Sequence, residues 1–509
     1  MRPPLLHPDP ALCRDLAADL RAAGFASAPL RAAWGESADS AIARGLRSPA
    51  VQALEGRDDA LAVLGRLFVL GMPQPLALVD RALPVTRAAG LVRLGFATIR
   101  GDEVTPAVII RPQSFSDEHG EGEWWIASDL DEAALGGPLP EDHVLGVGGA
   151  SQTLVSLQLP TPAARGLDLG AGCGIQALRA RRNVADVVAT DISARALAFT
   201  HANALLNGVE NIVTRQGSLF DPVEGEQFDR VVSNPPFVIT PRVAGVPAYE
   251  YRDGGLIGDD LVAAVVSGVG AHLAPGGVAQ LLGNWESRDG VDGLDRVRDW
   301  VAASAVPLDA WVIERESLDP VSYAELWVRD GGTVPGTAAF ASLIDAWTRD
   351  FAERDVTAIG FGYVLLRRSA SGLSTLHRYE RLPQALPEGG LGLHLADALA
   401  AHDRLATMTD ADVAASTLVV APDVTEARHH VPGAEDPTLI ELRQGGGFAR
   451  SLLVDPGLAA LVGACDGDLP VGALVDAIAQ LLEVDAPELR ADLVPRVREL
   501  IFTGFLRFA

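Results

Sequence analysis

Three glycines follow an apolar run that is typical of a buried strand, in the sequence Asp168-Leu-Gly170-Ala-Gly172-Cys-Gly174. Glycine adopts left-handed backbone conformations and leaves room where a Cβ would block a ligand. A ligand could therefore lie across the carboxyl end of this strand, where α/β sheets bind their ligands. The spacing departs from the Gly-x-Gly-x-x-Gly dinucleotide fingerprint, and an ordinary helix start in an α/β protein is the alternative interpretation.

The next apolar run ends in an acidic residue, Val187-Val-Ala-Thr-Asp191. A carboxylate at the end of a neighbouring parallel strand lies at the same edge of the sheet as the glycine loop. It could accept hydrogen bonds from both ribose hydroxyls of an adenosine. Asp191 could also cap the helix predicted from Ser193 to Ala204, and one carboxylate can do both.

A third motif, Asn234-Pro-Pro-Phe237, follows the apolar run that ends at Ser233. A central strand cannot continue through two prolines, so the motif forms a rigid loop at the same edge of the sheet. The Asn234 side chain offers one carbonyl acceptor and one amide donor. With a neighbouring loop carbonyl it could hold both hydrogens of a planar –NH2 group while Phe237 stacks on its face. Methyl transfer from a sulfonium to such a nitrogen is a positioning task that needs no strong base.

The three motifs lie in a stretch, from about residue 143 to 368, that alternates apolar strand-like runs with helical segments. This alternation predicts a parallel sheet built from βαβ units. The predicted strands are Gly166–Leu169, Asp186–Thr190, Ile212–Arg215, Asp229–Ser233, Gly277–Leu282, Ala310–Glu314 and Ile359–Leu366. The predicted fold class is therefore α/β, with a Rossmann-like seven-stranded sheet.

Both flanks of this stretch show helical periodicity and a hairpin pattern. On the N-terminal side, a connector with a single strand at Trp124-Trp-Ile126 follows the predicted hairpin. We predict three domains: a helical, winged-helix-like module over residues 1–140, the α/β domain over residues 141–370, and an α+β winged-helix-like module over residues 371–509. Modules of the winged-helix kind bind DNA, RNA or protein.

Composition narrows the class of protein. The chain has 509 residues and a net charge of -26, and all 41 basic residues are arginines. The acidic excess extends over all three segments, which argues against a protein that mainly coats nucleic acid, although a local arginine face stays open. The three cysteines, Cys13, Cys173 and Cys465, lack metal-ligand spacing, so we predict neither a disulfide framework nor a metal site. We find no signal peptide and no membrane-spanning apolar run, and we expect a cytoplasmic protein.

In their order along the chain, the three motifs resemble those of the class I S-adenosylmethionine-dependent methyltransferases, over roughly residues 141–370. More narrowly, they are similar to the Asn-Pro-Pro-Tyr/Phe branch, which includes release-factor glutamine methyltransferases and adenine-N6 and guanine-N2 nucleic-acid methyltransferases. The resemblance implies S-adenosyl-L-methionine as the cofactor. The implied cofactor-binding residues are Asp168, Gly170, Gly172, Gly174, Asp191, Ser218 and Asn234, and the implied catalytic residues are Asn234, Pro235, Pro236 and Phe237.

Two stretches differ from the release-factor subfamily, and one resembles it. Ser218 stands where that subfamily often carries an acidic residue that meets the adenine. The stretch before the glycine motif contains Thr153 but neither the Arg nor the Glu of the subfamily's Pro-Arg-Pro-x-Thr-Glu loop. The sequence Tyr249-Glu-Tyr-Arg-Asp253 resembles the substrate-side loop that follows Asn-Pro-Pro-Phe in this branch.

We predict an N-methyltransferase that acts on a planar amide or amine nitrogen of a macromolecule. The acidic charge favours a protein glutamine side chain. The alternative target is an exocyclic amine of RNA or DNA, adenine N6 or guanine N2, which would need an arginine face such as that formed by Arg87, Arg93, Arg100 and Arg111. A non-catalytic cofactor-binding scaffold is the third hypothesis, against which the intact Asn234 argues. The sequence predicts no membrane partner and leaves the oligomeric state open.

Overall fold

The structure, a computed structural model, describes residues 5–137, 139–243, 245–247, 252–387, 389–433 and 435–509. The chain forms two compact units. The first consists of Met1–Val155 and Pro162–Glu380, and the second of Ser156–Thr161 and Arg381–Ala509. The division into three domains stays a prediction.

The first unit begins with helices and a small antiparallel sheet. The helices are α1 (Pro10–Ala22), α2 (Ser27–Trp34), α3 (Glu36–Ile42), α4 (Ser48–Ala53), α5 (Ala60–Leu64, continued by a π-helical turn, Gly65–Val69), α6 (Leu76–Ala82) and α7 (Arg87–Leu94). The strands are β1 (Gln74–Pro75), β2 (Ala97–Arg100) and β3 (Glu103–Pro106), in the order β1-β3-β2. Helices and a short sheet follow one another as predicted, and the winged-helix character of this region stays a prediction.

A two-stranded hairpin follows where we expected a connector with one strand. Strands β4 (Val108–Asp117) and β5 (Gly120–Asp129) pair antiparallel along their whole length, before the short helix α8 (Glu132–Leu135). The single-strand prediction was wrong because the outer half of β4 is polar and contains Pro112, so it lacks the apolar alternation that identifies a strand. The ring of Trp124 is buried and stacks on Phe115.

An eight-stranded α/β sheet forms the rest of the first unit. Its elements are α9 (Gly149–Leu157), β6 (Ala163–Leu169), α10 (Ile175–Ala180), β7 (Val184–Asp191), α11 (Ala194–Leu206), β8 (Ile212–Gln216), β9 (Phe228–Ser233), α12 (Asp260–Gly268), β10 (Leu273–Arg288), α13 (Gly293–Ala302), β11 (Asp309–Leu318), α14 (Pro320–Asp330), α15 (Ala338–Glu353), β12 (Val356–Arg367) and β13 (His377–Arg381). The strand order is β13-β11-β12-β10-β9-β6-β7-β8. Strands β10, β9, β6, β7 and β8 are parallel, and β12 is antiparallel to both of its neighbours. The predicted fold class and the seven predicted strands are confirmed.

The eighth strand and one helix pair were not predicted. Strand β13 has the sequence His-Arg-Tyr-Glu-Arg, which carries no apolar alternation, so this edge strand gave no signal. Helices α14 and α15 are inserted between β11 and β12. They pack through an apolar cluster that includes Tyr323, Trp347 and Phe351. The Tyr323 hydroxyl accepts hydrogen bonds from the Ile239 N–H (3.1 Å) and from Nδ2 of Asn284 (2.6 Å).

The N-terminal helices share one hydrophobic core with the first helices of the α/β sheet. Leu16 and Leu20 of α1 belong to the same buried cluster as Leu178 of α10 and Phe199 of α11. A separate cluster packs α12 and α13 against the sheet. The N-terminal region therefore does not have a core of its own that is independent of the sheet.

The second unit contains helices and two small antiparallel sheets. Its elements are α16 (Gly392–Ala406), α17 (Asp410–Ala415), β14 (Thr417–Val420), β15 (Val424–His429), β16 (Leu439–Gln444), β17 (Ser451–Val454), α18 (Pro456–Ala464), β18 (Asp466–Pro470), α19 (Val471–Leu482), α20 (Ala486–Phe502) and β19 (Leu506–Phe508). The sheets have the orders β18-β14-β19 and β15-β16-β17. A segment from the middle of the chain joins this unit, since the Leu391 N–H donates to the Ser156 carbonyl (2.8 Å).

A buried carboxylate ties the start of β11 to the end of β12. Asp309 is fully buried and accepts two hydrogen bonds from the Arg367 guanidinium (3.0 and 2.8 Å). It also accepts from the N–H groups of Thr375 (2.7 Å) and Leu376 (3.0 Å). Burial alone would raise the pKa of Asp309, but these donors outweigh burial and lower it.

Asp309→Ala should reduce the free energy of unfolding by about 3–5 kcal/mol, because it leaves buried donors without their acceptor. Asp295→Ala, which removes an exposed ion pair with Arg298, should cost less than about 1 kcal/mol. Because the folded pKa of Asp309 is lowered, its contribution is present above about pH 4 and is lost as the pH falls through the folded value. Denaturant titrations of both variants at neutral and acid pH measure these differences. Equal costs for the two variants would contradict the prediction.

Candidate active site

A cavity of about 470 Å³ lies at the carboxyl ends of β6, β7 and β9. This is the edge at which parallel α/β sheets bind ligands. Residues 143–146 and 151, 169–173, 175–176, 190–193 and 196, 217–219, 233–236, and 253–256 with 261 and 265 line the cavity.

The glycine loop between β6 and α10 forms one wall of the cavity. Gly170, Gly172 and Gly174 have φ angles of 75°, 55° and 82°, in the left-handed region that favours glycine. A Cβ on Gly170 or Gly172 would have no protein atom within 4 Å, whereas a Cβ on Gly174 would lie 2.9 Å from the Thr200 side chain. The first two glycines therefore keep the cavity wall free of side chains, and the third allows the loop to approach α11.

Asp191 ends β7 and lines the cavity. Its carboxylate accepts hydrogen bonds from the N–H groups of Gly172 and Ser193, each at 2.9 Å. Burial raises the pKa of Asp191 against the effect of these donors. The Ser193 side chain, rather than Asp191, caps α11. A carboxylate has about four acceptor positions, so Asp191 retains acceptor capacity beyond the two bonds that orient it.

Asn234 begins the loop after β9, and its side chain is held at the cavity wall. Nδ2 donates to the Ser151 hydroxyl (3.5 Å), while Oδ1 is buried and has no hydrogen-bond partner among the described residues. The Ser233 hydroxyl donates to the Leu169 carbonyl (2.7 Å), which joins the ends of β9 and β6. A buried acceptor without a partner costs free energy until a ligand or water supplies a donor. The Asn234 carbonyl is thus available to a donor in the cavity.

The structure brings most of the predicted site residues together. The cavity is lined by Gly170, Gly172, Asp191, Ser218, Asn234, Pro235 and Pro236, but not by Asp168, Gly174 or Phe237. Asp168 is fully buried, and its Oδ2 accepts from the Ala177 N–H (2.8 Å). The Phe237 ring lies 5.4 Å from that of Phe361 and packs among apolar side chains.

Two further segments line the cavity. Sequence reasoning missed Ser151 in the first, but it singled out the loop that contains Asp253 through its resemblance to the family. Ser151 faces the cavity from α9, whereas the Thr153 hydroxyl donates to the Gly149 carbonyl within that helix (3.0 Å). Asp253, from the loop that resembles the family's substrate side, is buried and forms an ion pair with Arg242. Tyr249 of the same loop lies outside the described residues. Ser151 gave no sequence signal because its position depends on how α9 packs against the sheet edge.

The described lining of the cavity consists of acidic and neutral side chains. No arginine is among its lining residues in the described part of the chain. Burial raises the pKa of Cys173 to about 11 and lowers that of His143, which keeps the thiol protonated and the imidazole neutral at neutral pH. Asp253 is paired with Arg242. The described lining therefore supplies hydrogen-bond acceptors, and the neutral imidazole of His143 is among them.

Two further searches covered all the residues that the structure describes, one for metal sites and one for membrane-spanning helices. The residues that the structure describes include no group of three or more His, Cys, Asp or Glu side chains that could hold a metal ion. Nor do these residues form a helix with the length and apolarity needed to cross a membrane.

Comparison with known proteins identifies the family. Residues 146–245 match the model of the Methyltransferase small domain. A release factor glutamine methyltransferase of Deinococcus radiodurans is 30% identical over 243 residues, which cover 44% of this chain and 84% of that relative. The chain belongs to the class I methyltransferase family. The resemblance drawn from the three sequence motifs is confirmed.

Two further relatives match a smaller part of this methyltransferase. A release factor glutamine methyltransferase of Xylella fastidiosa is 35% identical over 147 residues, 27% of this chain and 54% of the relative. A ribosomal protein uL3 glutamine methyltransferase of Bradyrhizobium diazoefficiens is 34% identical over 151 residues, 28% of this chain and 46% of the relative. The chain thus spans about half the length of these two relatives. Residues 22–107 and 399–508 match two domains of unknown function, DUF7059 and DUF7782.

Asp168→Asn should change how the stability of the methyltransferase depends on pH. Burial raises the pKa of Asp168 to about 7, and the charge of Asp191 adds to the effect. With a raised folded pKa, the carboxyl group stabilises the fold most below its unfolded pKa of about 4, and this contribution is lost as the pH rises through about 7. Asparagine cannot ionise, so Tm of the variant relative to wild type should be higher at about pH 8 than at about pH 5.

Thermal melts of the cofactor-free protein at the two pH values measure this difference. Asp186→Asn is the control, because Asp186 is exposed on the neighbouring strand β7. A relative Tm of the Asp168 variant that stays constant between the two pH values would show that Asp168 does not titrate in this range.

Proposed function

We propose that the chain transfers a methyl group from S-adenosyl-L-methionine to the side-chain amide nitrogen of a glutamine in a protein. The observation that carries this proposal is the Asn234 carbonyl oxygen, buried at the cavity wall without a partner among the described residues. A planar –NH2 group is the donor that such an acceptor fits. The relatives named as glutamine methyltransferases support the same target.

The residues of the cavity fit the proposed cofactor. Gly170 and Gly172 offer a backbone wall that a Cβ would fill, and Asp191 has acceptor capacity for ribose hydroxyls. Ser218 lines the same cavity at the place of the adenine contact implied by the family. When bound, S-adenosyl-L-methionine supplies an electrophilic methyl group on a positively charged sulfur.

The acceptor side requires orientation first. As the methyl–nitrogen bond forms, the methyl–sulfur bond breaks, and the methylated nitrogen then releases one proton to the solvent. Ser151 contacts Nδ2 of Asn234, so that Oδ1 is the atom left to accept from the target –NH2. The Pro235 carbonyl would accept the second hydrogen, and Pro236 stiffens the loop. Holding both hydrogens fixes the direction of the nitrogen lone pair, which is the main requirement for in-line transfer.

Charge favours a protein over a nucleic acid as the substrate. Nucleic-acid binding rests on cationic side chains that neutralise phosphates, and the described lining of the cavity has none. Two of the four arginines that could form a cationic face are engaged with carboxylates: Arg111 with Asp131 (2.6 Å) and Arg87 with Asp80 (3.7 Å). The chain as a whole is strongly acidic, with a net charge of -26.

Asp191→Ala should weaken S-adenosyl-L-methionine binding by about 10- to 100-fold, because a partly buried charged acceptor is removed. Calorimetric titration of wild type and variant measures the change in Kd. Asp186→Ala is the matched control, since Asp186 is an exposed carboxylate on the same strand. Equal affinity of the two variants would remove Asp191 from the cofactor site.

Asn234→Ala should lower kcat by at least about 100-fold, because a preorganised acceptor for the target nitrogen is lost. Its Kd for the cofactor should stay within about threefold of wild type, since the glycine loop, Asp191 and Ser218 remain in place. Single-turnover methyl transfer and calorimetry separate the two effects. Unchanged turnover would exclude Asn234 from the chemistry, and lost cofactor binding would show that the loop has collapsed.

A protein substrate can be distinguished from a nucleic acid directly. Lysate from a strain that lacks this gene is incubated with the enzyme and methyl-labelled S-adenosyl-L-methionine, then divided and treated with protease or with nuclease. We expect label that protease releases, that nuclease leaves intact, and that appears as N-methylglutamine after complete digestion with peptidases. The Asn234→Ala enzyme provides the background. Label that survives protease but is lost to nuclease would overturn the protein assignment in favour of a base amine.

A further inference from the structure

One helix residue joins the N-terminal hairpin to the glycine loop. Asn203 of α11 is fully buried, and its amide makes three hydrogen bonds. Its Oδ1 accepts from the Ala127 N–H (2.8 Å), and Nδ2 donates to the Ala127 carbonyl (2.9 Å). The same Nδ2 also donates to the Cys173 carbonyl (2.8 Å). A single side chain thus contacts strand β5 and the loop that lines the cavity.

This contact belongs to a regular junction between α11 and β5. Four residues after Asn203, the Asn207 amide accepts from the Trp125 N–H and donates to the Trp125 carbonyl, both at 2.8 Å. Four helix residues rise about 6 Å and two strand residues rise about 6.6 Å. The two asparagines can therefore pair with alternate residues of β5, as a neighbouring strand would.

The end of β5 reaches the cavity wall at a second point. The Asp129 N–H donates to the Val144 carbonyl (3.1 Å), and Oδ2 of Asp129 accepts from the Val144 N–H (2.9 Å). Val144 lines the cavity. Asp129 also forms an ion pair with Arg195 of α11. Strand β5 is therefore connected to two parts of the wall, the glycine loop through Asn203 and the segment around Val144 through Asp129.

The hydrogen bond from Asn203 restricts the conformation of the glycine loop. The Cys173 carbonyl lies between Gly172 and Gly174, both at positive φ. Glycine has more accessible backbone conformations than other residues, and confining it costs more entropy. A hydrogen bond from a buried amide to the Cys173 carbonyl selects one orientation of this peptide group, and with it the shape of the cavity wall.

We propose that Asn203 is a positioning residue for the cofactor-binding loop, and that β5, through Asn203 and Asp129, helps to hold the wall of the cofactor site in place. This inference rests on the cofactor assignment of the proposed function. The continuous core of α1, α10 and α11 holds β5 and the loop in one body.

The test compares two asparagines of the same helix. Asn203→Asp keeps the acceptor for the Ala127 N–H but places a second oxygen against the carbonyls of Ala127 and Cys173. Asn203→Ala removes the contact without this repulsion. Asn207→Ala is the matched control, because Asn207 pairs with β5 in the same way but has no hydrogen bond to the glycine loop.

Both Asn203 variants should raise the Kd for S-adenosyl-L-methionine by at least about tenfold, the effect of one lost buried hydrogen bond. Asn207→Ala should lower Tm by about as much as the Asn203 variants do, but it should leave Kd within about twofold of wild type. Calorimetry and thermal melts measure the two quantities. Equal changes of Kd in the Asn203 and Asn207 variants would show a structural role only, and unchanged affinity in the Asn203 variants would overturn the proposal.

A second measurement on the wild-type protein does not depend on the folding of a variant. If the loop and β5 are coupled, binding of S-adenosyl-L-methionine should slow amide hydrogen exchange in a peptide that covers residues 124–130, none of which lines the cavity. Protection of the glycine-loop peptide without protection of 124–130 would overturn the inference and leave the proposed function intact. A wild-type protein that does not bind the cofactor at all would overturn both.

Discussion

The register of three parallel strands is the constraint on which the site depends. Leu169 of β6 pairs with Thr190 of β7 on one side and with Ser233 of β9 on the other. The next residue of each strand or loop is Gly170, Asp191 or Asn234, so the three motifs begin at one level of the sheet. A slip of one residue would reverse the faces of a strand and separate the motifs. The Ser233 hydrogen bond to the Leu169 carbonyl holds this register at its end.

The positions of the three motifs could be predicted from the sequence because parallel strands end at the same edge of a sheet. Each motif comes directly after an apolar run, and parallel strands bring their carboxyl ends to one edge, so Asp191 and Asn234 could be placed without a structure. Ser151 and the Phe237 ring could not, because their positions depend on how distant segments pack. Asp253 could be placed only through the resemblance of its loop to the family. Strand β13 and the outer part of β4 are polar, and their pairing partners rather than their own sequences make them strands.

The N-terminal region and the α/β sheet share one hydrophobic core, although composition and periodicity indicate two separate regions. Periodicity shows that helices precede the sheet, but it cannot show that their apolar faces meet α10 and α11 in one cluster. Side chains on the face of α11 that meets β5, among them Asn203, complete this junction. They form hydrogen bonds to the backbone along the edge of β5. An exposed strand edge can pair with other chains, and proteins often cover it with another element. Here α11 covers the edge of β5, and its residue Asn203 also contacts the glycine loop that lines the cavity.

The discontinuity of the second unit has a consequence for synthesis on the ribosome. Residues Ser156–Thr161, which comprise the end of α9 and the loop that follows it, belong to the second unit. Gly392 approaches the Gln158 carbonyl so closely that a Cβ on Gly392 would lie 2.1 Å from it. Domains emerge and fold from the N-terminus during translation. This short segment must therefore wait, while more than two hundred residues are added, for the partners that will cover it. The rest of the first unit, up to Glu380, is synthesised during that interval.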